Sequence, residues 1–365
     1  MSALRIAYVI NSLEGGGAAS PVPAILDVLA GTGAQVRLLA LTLRNGKALP
    51  AIREAGIDTV VRDGGEKDHY AAYAWLKRQL RDWQATHVWT SLTRATLLGQ
   101  WAGASLNLPV VSWQHNAYLK PWNERLLRWN RDRSCLWVAD SSQVAKLTRE
   151  RLRVPAERLF TWPIFFADPQ APAARPWQAG ETLQLGSLGR LHPAKGYDIL
   201  IDALAILRKE NFTPPAPFEI TIAGEGGNRE RLLATAREAG IDNLVFPGYA
   251  ENPREFLANL HLYLQPSRRE GFCIAAHEAM QAGLPVIVSA TGELPFTVRG
   301  GETGHIVPPE NARALAEAIR DTLSIPERLA QMGKAGRKLV LERFSVDRFR
   351  ENGRAIVSRL AVPEQ

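Results

Sequence analysis

The chain has 365 residues, of which 46% are apolar and 22% charged, a composition that excludes disordered and fibrous classes. Two cysteines, Cys135 and Cys273, exclude a disulfide scaffold and suit a reducing, cytoplasmic setting. The net charge of +7 is uneven: residues 1–170 hold 21 Lys/Arg against 14 Asp/Glu, the remainder 23 against 23, and all ten Trp precede residue 178. Such asymmetry suggests different partners for the two halves.

At roughly 100–200 residues per domain, two domains are expected. No apolar run approaches the roughly 18 residues of a membrane span. The start, MSALRIAYVINSLEGGG, reads as a buried first strand and not a signal peptide. Strands are predicted at 4–11, 36–41, 58–61, 87–91, 109–115, 135–141 and 158–163, with helices near 18–30, 69–84, 94–106, 122–132 and 142–152. Residues 167–181, rich in Pro and Ala and without apolar periodicity, read as a linker. The alternation restarts with strands at 183–189, 218–224, 243–248, 261–267, 284–289 and 304–308, and helices over about 311–323, 327–343 and 346–360. Short apolar runs between helices predict two doubly wound, Rossmann-like parallel sheets facing a cleft, with ligands beyond the carboxyl ends of the strands. The expected domains are 1–166, with a C-terminal helix over 346–365 packing back on it, and 182–345.

Chemistry-bearing residues stand just after strands. The run Arg268-Arg269-Glu270-Gly271-Phe272-Cys273-Ile274 leads to Glu278. Gly271 permits a sharp turn, a helix is expected to begin there, and its first N–H groups form an anion site. Glu270 and Glu278 are eight residues apart, about 12 Å along a helix, too far for an acid/base dyad. That spacing suits hydroxyls at opposite ends of a ligand whose diphosphate sits on the helix start. In Gly189-Arg190-Leu191-His192-Pro193-Ala194-Lys195-Gly196, Lys195 is expected at a helix start, where the dipole disfavours a cation unless an anion is bound. Arg190 and Lys195 can share a diphosphate. Gly224-Glu225-Gly226-Gly227 forms a third strand-to-helix turn.

These three clusters, with Gly-Leu-Pro-Val-Ile-Val-Ser at 283–289 and Gly-Glu-Thr-Gly-His-Ile-Val-Pro-Pro at 301–309, resemble the nucleotide-sugar half of the retaining GT-B glycosyltransferases of family 4. The resemblance covers about 183–345 closely and the first half loosely. It implies a hexosyltransferase that moves a sugar from a nucleotide-diphosphate-sugar, UDP- or GDP-linked, to a glycan or lipid-linked acceptor in cell-surface polysaccharide synthesis. Arg190 and Lys195 would bind the diphosphate with the amides of Phe272, Cys273 and Ile274. Glu278 would hold the ribose, and Glu270 the transferred sugar. Gly224, Glu225 and Gly271 belong to loops beside the sugar. In the first half, Glu14-Gly15-Gly16-Gly17 resembles the family's Gly-Gly loop, so Gly16 and Gly17 would approach the phosphate. His115 matches a family histidine near the reacting sugar.

Two positions depart from the pattern: Ala18-Ala19-Ser20 and Phe296 stand where the family often has Glu. The resemblance implies no metal or other cofactor, and the chain has no Asp-x-Asp triplet. Nucleic-acid binding has no supporting motif. An NAD(P)-dependent oxidoreductase fails on its glycine fingerprint, since Gly224-Glu225-Gly226-Gly227-Asn228-Arg229 ends in Arg. A non-catalytic nucleotide-sugar binder is the other alternative. His192, His277 and Cys273 read as structural. Finally, Trp122, Leu126 and Trp129 share a helix face amid Arg125, Arg128, Arg131 and Arg133. Either a core helix with a wet side or a helix lying on the inner face of an anionic membrane fits that pattern.

Overall fold

A computed structural model describes residues 4–116 and 118–360. The chain divides into two compact units: the described residues up to Phe165 together with those from Asp347 onward, and Phe166–Val346.

The first unit runs β1 (Arg5–Ile10), α1 (Val22–Ala30), β2 (Gln35–Ala40), α2 (Leu49–Glu54), β3 (Thr59–Val61), α3 (His69–Asp82), β4 (His87–Ser91), α4 (Thr93–Leu106), β5 (Val110–Gln114), α5 (Pro121–Asn130), β6 (Leu136–Ala139), α6 (Ser142–Leu152) and β7 (Leu159–Thr161). The second runs β8 (Leu183–Leu188), α7 (Tyr197–Lys209), β9 (Phe218–Ala223), α8 (Arg229–Glu238), β10 (Leu244–Gly248), α9 (Pro253–Ala258), β11 (Leu262–Gln265), α10 (Ile274–Gln281), β12 (Val286–Ser289), α11 (Leu294–Thr297), β13 (Gly304–Val307), α12 (Ala312–Leu323) and α13 (Leu329–Arg343). Helix α14 (Val346–Val357) follows; residues 361–365 of the expected final helix lie outside the described residues.

The sheet orders are β3-β2-β1-β4-β5-β6-β7 and β10-β9-β8-β11-β12-β13, with every pairing parallel. Both are doubly wound Rossmann-like sheets. In each the strand order reverses once, between β1 and β4 and between β8 and β11. Loops at such switch points are where open α/β sheets hold ligands.

Strand alternation distributes the first unit's core. Ala7, Val9, Val88 and Val110 face one way and pack with Leu76, Leu80, Leu98 and Ala102 of α3 and α4. Tyr8, Trp89, Trp113 and Trp162 face the other way and are fully buried. Helix α14 closes over that face: Phe349 lies 5.1 Å from the Trp162 ring, and a Cβ on Gly353 would meet Val28 and Trp162. The second unit has one large aliphatic cluster of β8, β9, α7 and α12 residues.

Several boundaries differ from the expected ones for identifiable reasons. Helix α1 starts at Val22 and not near 18, because Gly16–Ser20 closes a turn onto the Gly16 carbonyl and Pro21 and Pro23 set the helix start. Helix α10 starts at Ile274, three residues after Gly271, since Cys273 takes a left-handed conformation before it. Helix α7 starts at Tyr197, so Lys195 belongs to a preceding 3-10 turn (Pro193–Lys195). The expected linker, 167–181, has no helix or strand but belongs to the second unit. Its Ala174 and Arg175 amides donate to the Ala282 and Ala258 carbonyls, and Arg337 donates to the Pro169 and Ala171 carbonyls.

Candidate active site

In the second unit the loops after β8 and β11 clasp each other at the switch point. The Arg268 amide donates to the Ala194 carbonyl, and a Cβ on Gly196 (φ +68°) would stand 2.0 Å from the Pro266 carbonyl oxygen. Only glycine fits there. Arg268 grips the Asp198 carboxylate with both Nη atoms, at 2.7 and 2.8 Å, and the Pro193 carbonyl at 2.9 Å. A bidentate fork of this kind fixes the two loops to the start of α7.

This clasp brings Lys195 to Glu270, with Nζ 2.8 Å from Oε1. Ser267 Oγ donates to the same oxygen at 2.6 Å and Gln265 Nε2 at 3.2 Å. Three donors thus converge on Oε1, and the Cys273 thiol also interacts with this carboxylate. The anion expected beside Lys195 is therefore supplied in this structure by the protein's own carboxylate. Burial works against the Lys195 charge, but Glu270 more than offsets it and holds the ammonium above its usual range. Burial pushes Tyr197, beneath these loops, up to about 12.

Arg190 is exposed and has no ion pair among the described residues. Glu278, one face down α10, is half-buried, and its carboxyl is raised by burial, slightly relieved by Arg254. It makes no side-chain hydrogen bond among the described residues. The amides of Cys273 and Ile274, at the head of α10, donate to no described backbone or side-chain acceptor. Phe272 is buried against His277 and Phe344. Free amides, a free Arg and an unpartnered carboxylate are what a nucleoside diphosphate needs at a helix opening. Cys273 is buried and its thiol is pushed up by desolvation and by Glu270, which suits packing and not nucleophilic attack.

The Gly224–Gly227 turn abuts the same site. A Cβ on Gly224 would stand 1.9 Å from the Gly189 carbonyl oxygen, and the Leu191 amide donates to the Glu225 carbonyl. Gly224 and Glu225 thus shape the Arg190 loop through backbone contact. Gly292 does the same for Gly271, whose carbonyl oxygen a Cβ there would meet at 2.5 Å. Phe296, where the family often has Glu, is exposed, whereas Glu293 is buried and paired with Arg343.

His277 and His192 are structural. His277 bonds the Cys273 carbonyl and Thr297 Oγ1, and burial lowers it to about 3. His192 accepts from the Ala194 amide and caps its turn.

In the first unit, Gly16 (φ +136°) and Gly17 are exposed in the turn after β1, with open space around the Gly16 Cβ position. Ser91, at the end of β4, and His115, just past β5, meet at 2.7 Å between Oγ and Nε2. Asp140, just past β6, puts Oδ2 3.5 Å from Nδ1. Asp140 is fully buried and its carboxyl is raised by that burial, against a smaller effect of His115. The sequence patterns did not single out Ser91, Asp140, Gln265 or Ser267. Alternation within β11 was the available signal for Gln265 and Ser267, which share a strand face with Tyr263.

On α5 the structure decides between the two faces. Leu127 and Asn130 point inward, while Trp122 (66% exposed), Arg125 and Trp129 (83% exposed) form the outer face. Of the expected stripe, the two Trp are exposed, whereas Leu126 is half-buried and packs against the cluster around Leu127.

Known proteins give the same frame. The family description "Glycosyltransferase Family 4" matches residues 15–165, and "Glycosyl transferases group 1" matches 175–339. The chain is 33% identical to a D-inositol 3-phosphate glycosyltransferase of Gordonia bronchialis over 44% of its length and 36% of the relative's. It is 33% identical to a GDP-mannose-dependent alpha-(1-6)-phosphatidylinositol monomannoside mannosyltransferase of Mycolicibacterium smegmatis, over 49% of each chain. These matches span between about a third and a half of the relatives' length. Among solved structures, Anabaena Alr3699/HepE in complex with UDP and glucose superposes with a TM-score of 0.85, at 20% identity, covering 98% of this chain and all of that one. WaaG, a glycosyltransferase involved in lipopolysaccharide biosynthesis, gives 0.71 at 16% identity, covering 97% and 100%. With its two halves matched in order and its two sheets shared, the chain belongs to the family 4 glycosyltransferases of GT-B fold.

Proposed function

We propose that the protein is a retaining, metal-independent hexosyltransferase that moves a sugar from a UDP- or GDP-linked donor to a glycan or lipid-linked acceptor. One observation carries this reading: around the β8/β11 switch point stand Arg190 and Glu278, both without a side-chain partner among the described residues, a Lys195 held by Glu270, and the open amides of Cys273 and Ile274. Glu270, the two cations with the helix amides, and Glu278 then match sugar, diphosphate and ribose along one ligand. Arg190, Lys195 and the helix amides neutralise the departing diphosphate as charge builds on it, so electrostatic stabilisation is the main catalytic effect. Glu270, anchored through Oε1, offers Oε2 to a sugar hydroxyl. Gly16 and Gly17 would lie along the donor phosphate, and His115 near the transferred sugar. The acceptor is assigned to the basic, Trp-rich first unit.

The test is a thermal-shift panel of UDP, GDP and ADP with and without chelator, followed by release of nucleotide from UDP-glucose and GDP-mannose. Stabilisation by one diphosphate, indifferent to chelator, is expected. Stabilisation without any transfer or hydrolysis would make the protein a binder only. Strict dependence on a divalent cation would remove the metal-independent mechanism.

We further place the protein at the inner face of the cell membrane, through the outer face of α5. No helix among the described residues is long and apolar enough to cross a membrane. Trp122, Arg125 and Trp129 present aromatic and cationic groups together, a pairing that suits anionic headgroups. Co-sedimentation with anionic vesicles at low salt, weakened by salt and by the W122A/W129A double variant, is the expected result. No sedimentation at low salt would end this assignment.

A further inference from the structure

Strand register, not sequence proximity, assembles a buried polar chain behind the first unit's candidate site. Ser91 pairs with Trp113 across β4/β5, and Gln114 pairs with Ala139 across β5/β6. Side chains alternate along strands, so Ser91, Trp113, His115 and Asp140 share one sheet face, at the carboxyl ends of three neighbouring strands. Tyr8, paired with Trp89, lies on that face too, and its buried hydroxyl lies beside Ser91.

The His115 ring is fixed from two directions. Its plane stacks on Trp113 at 5.4 Å and 19°, and Trp113 stacks on Trp162 at 4.9 Å and 22°. Its edges face Ser91 Oγ through Nε2 and Asp140 Oδ2 through Nδ1, at 2.7 and 3.5 Å. The His115 and Asp140 side chains are 6% and 4% exposed. Nδ1 and Asp140 Oδ1 are buried without a well-formed hydrogen bond. Buried polar atoms without partners are uncommon and mark sites under another constraint. At 3.5 Å, Nδ1 stands at the edge of hydrogen-bond geometry from the carboxylate, close enough for the two groups to act on each other electrostatically.

We propose that Ser91 and Asp140 are positioning residues that clamp His115 as its Nδ1–H tautomer. Ser91 donates to Nε2, and Nδ1–H faces the Asp140 carboxylate. A carboxylate only accepts, which sets the direction of the chain. Ser91 is not a nucleophile here, because it is fully buried and no substrate reaches its oxygen. Nε2 is bonded to Ser91 and Nδ1 faces the buried Asp140 carboxyl, so both ring nitrogens point into the interior. His115 therefore acts by fixed geometry, holding the turn through Asn116 at the end of β5, and not by moving a proton. This rests on the reading of the protein as a glycosyltransferase with His115 beside the transferred sugar.

The experiment has one arm that needs no substrate. In the full-length protein labelled with 15N-histidine, the His115 signals are assigned by their loss in H115N among the seven histidines. The wild type should show a proton on Nδ1, slow to exchange with solvent. D140N and S91A should each shift the tautomer balance. In the second arm, D140N should lower kcat for nucleotide release from UDP-glucose or GDP-mannose about 10- to 100-fold, with the donor KM within about twofold. An Nε2–H tautomer with Nδ1 unprotonated in the wild type overturns the proposal, because Nδ1 would then have to accept. So does an unchanged kcat in folded D140N. If D140N does not fold, S91A and the wild-type spectrum decide. Failure of the wild type to release nucleotide from either donor strikes the glycosyl-transfer reading and leaves the spectral arm standing.

Discussion

The switch points of the two sheets are built alike in backbone and differently in side chains. Each crossover opens its helix from a non-glycine residue with positive φ: Leu92 (φ 75°) before α4 and Cys273 (φ 72°) before α10. Such residues cost about 1–3 kcal/mol each and persist where surrounding structure overrides them. In the second unit the strained turn carries charge: Glu270, Ser267 and Arg268 form ion pairs and hydrogen bonds among themselves and with Lys195 and Asp198 of the loop and helix after β8. In the first unit it stands beside stacked indoles and a buried histidine. One site is organised by ionic contacts that a ligand can exchange for its own, the other by packing that a ligand cannot replace. Substitutions among the second unit's charged loops should therefore cost activity, and substitutions among the first unit's stacked indoles should cost stability.

The largest expected effect tests the packed side. Trp162 is fully buried and touches Trp89, Trp113 and Phe349 at centroid distances of 6.1, 4.9 and 5.1 Å. Trp162→Ala should cost about 3–5 kcal/mol, seen as a lower urea midpoint for the first unit. A loss under about 1 kcal/mol would mean that the face relaxes around the gap, and the contrast between the units would fall.

The charged side should respond in rate. Lys195→Ala or Arg190→Ala should cost about 1.5–3 kcal/mol in kcat/KM, roughly ten- to 150-fold. Arg190→Ala should leave stability within about 0.5 kcal/mol, since the side chain is exposed and has no ion pair among the described residues. Glu270→Gln should hurt turnover more than nucleoside-diphosphate binding, because three donors already hold Oε1 and the carboxylate's remaining charge is what the transferred sugar would meet. Wild-type kcat/KM in both cation variants would remove the diphosphate from this loop.

The same contrast explains what could be read without coordinates. Strand positions follow from short apolar runs between helices, and all thirteen strands fall in the predicted places. The second unit's site is legible because its residues sit within a few positions of each other on turns: Arg190 to Lys195, Glu270 to Glu278. Lys195 meeting Glu270 needs only two adjacent strands. Ser91, His115 and Asp140 are about 25 residues apart each, joined by register alone, and no local pattern marks them. Helices α1 and α10 start later than the sequence pattern predicts, at 22 and 274 and not near 18 and 271, because prolines and a left-handed Cys273 delay them. Helix α2 was not anticipated at all: Leu49–Glu54 is a six-residue helix with one fully buried side chain, Ile52, too short for a periodic signal.

The smallest effect separates binding from folding within a single carboxyl. Burial raises Glu278 above the ordinary carboxyl range, with Arg254 offsetting only part of it. In a carboxyl whose folded pKa exceeds its unfolded one, the charged form is disfavoured by folding. The penalty is full above the folded pKa and vanishes below the unfolded pKa. Glu278→Gln removes it. The variant should therefore melt at a higher temperature than wild type at pH 8, and the gap should close as the pH falls through the raised pKa to about 4. Nucleoside-diphosphate affinity should move the opposite way, since the amide loses the acceptor that the ribose hydroxyls would meet. A carboxylate kept half-buried against its own hydration is then explained by its ligand. Equal melting temperatures at both pH values would show the group to be well solvated, and unchanged affinity would take the ribose from Glu278.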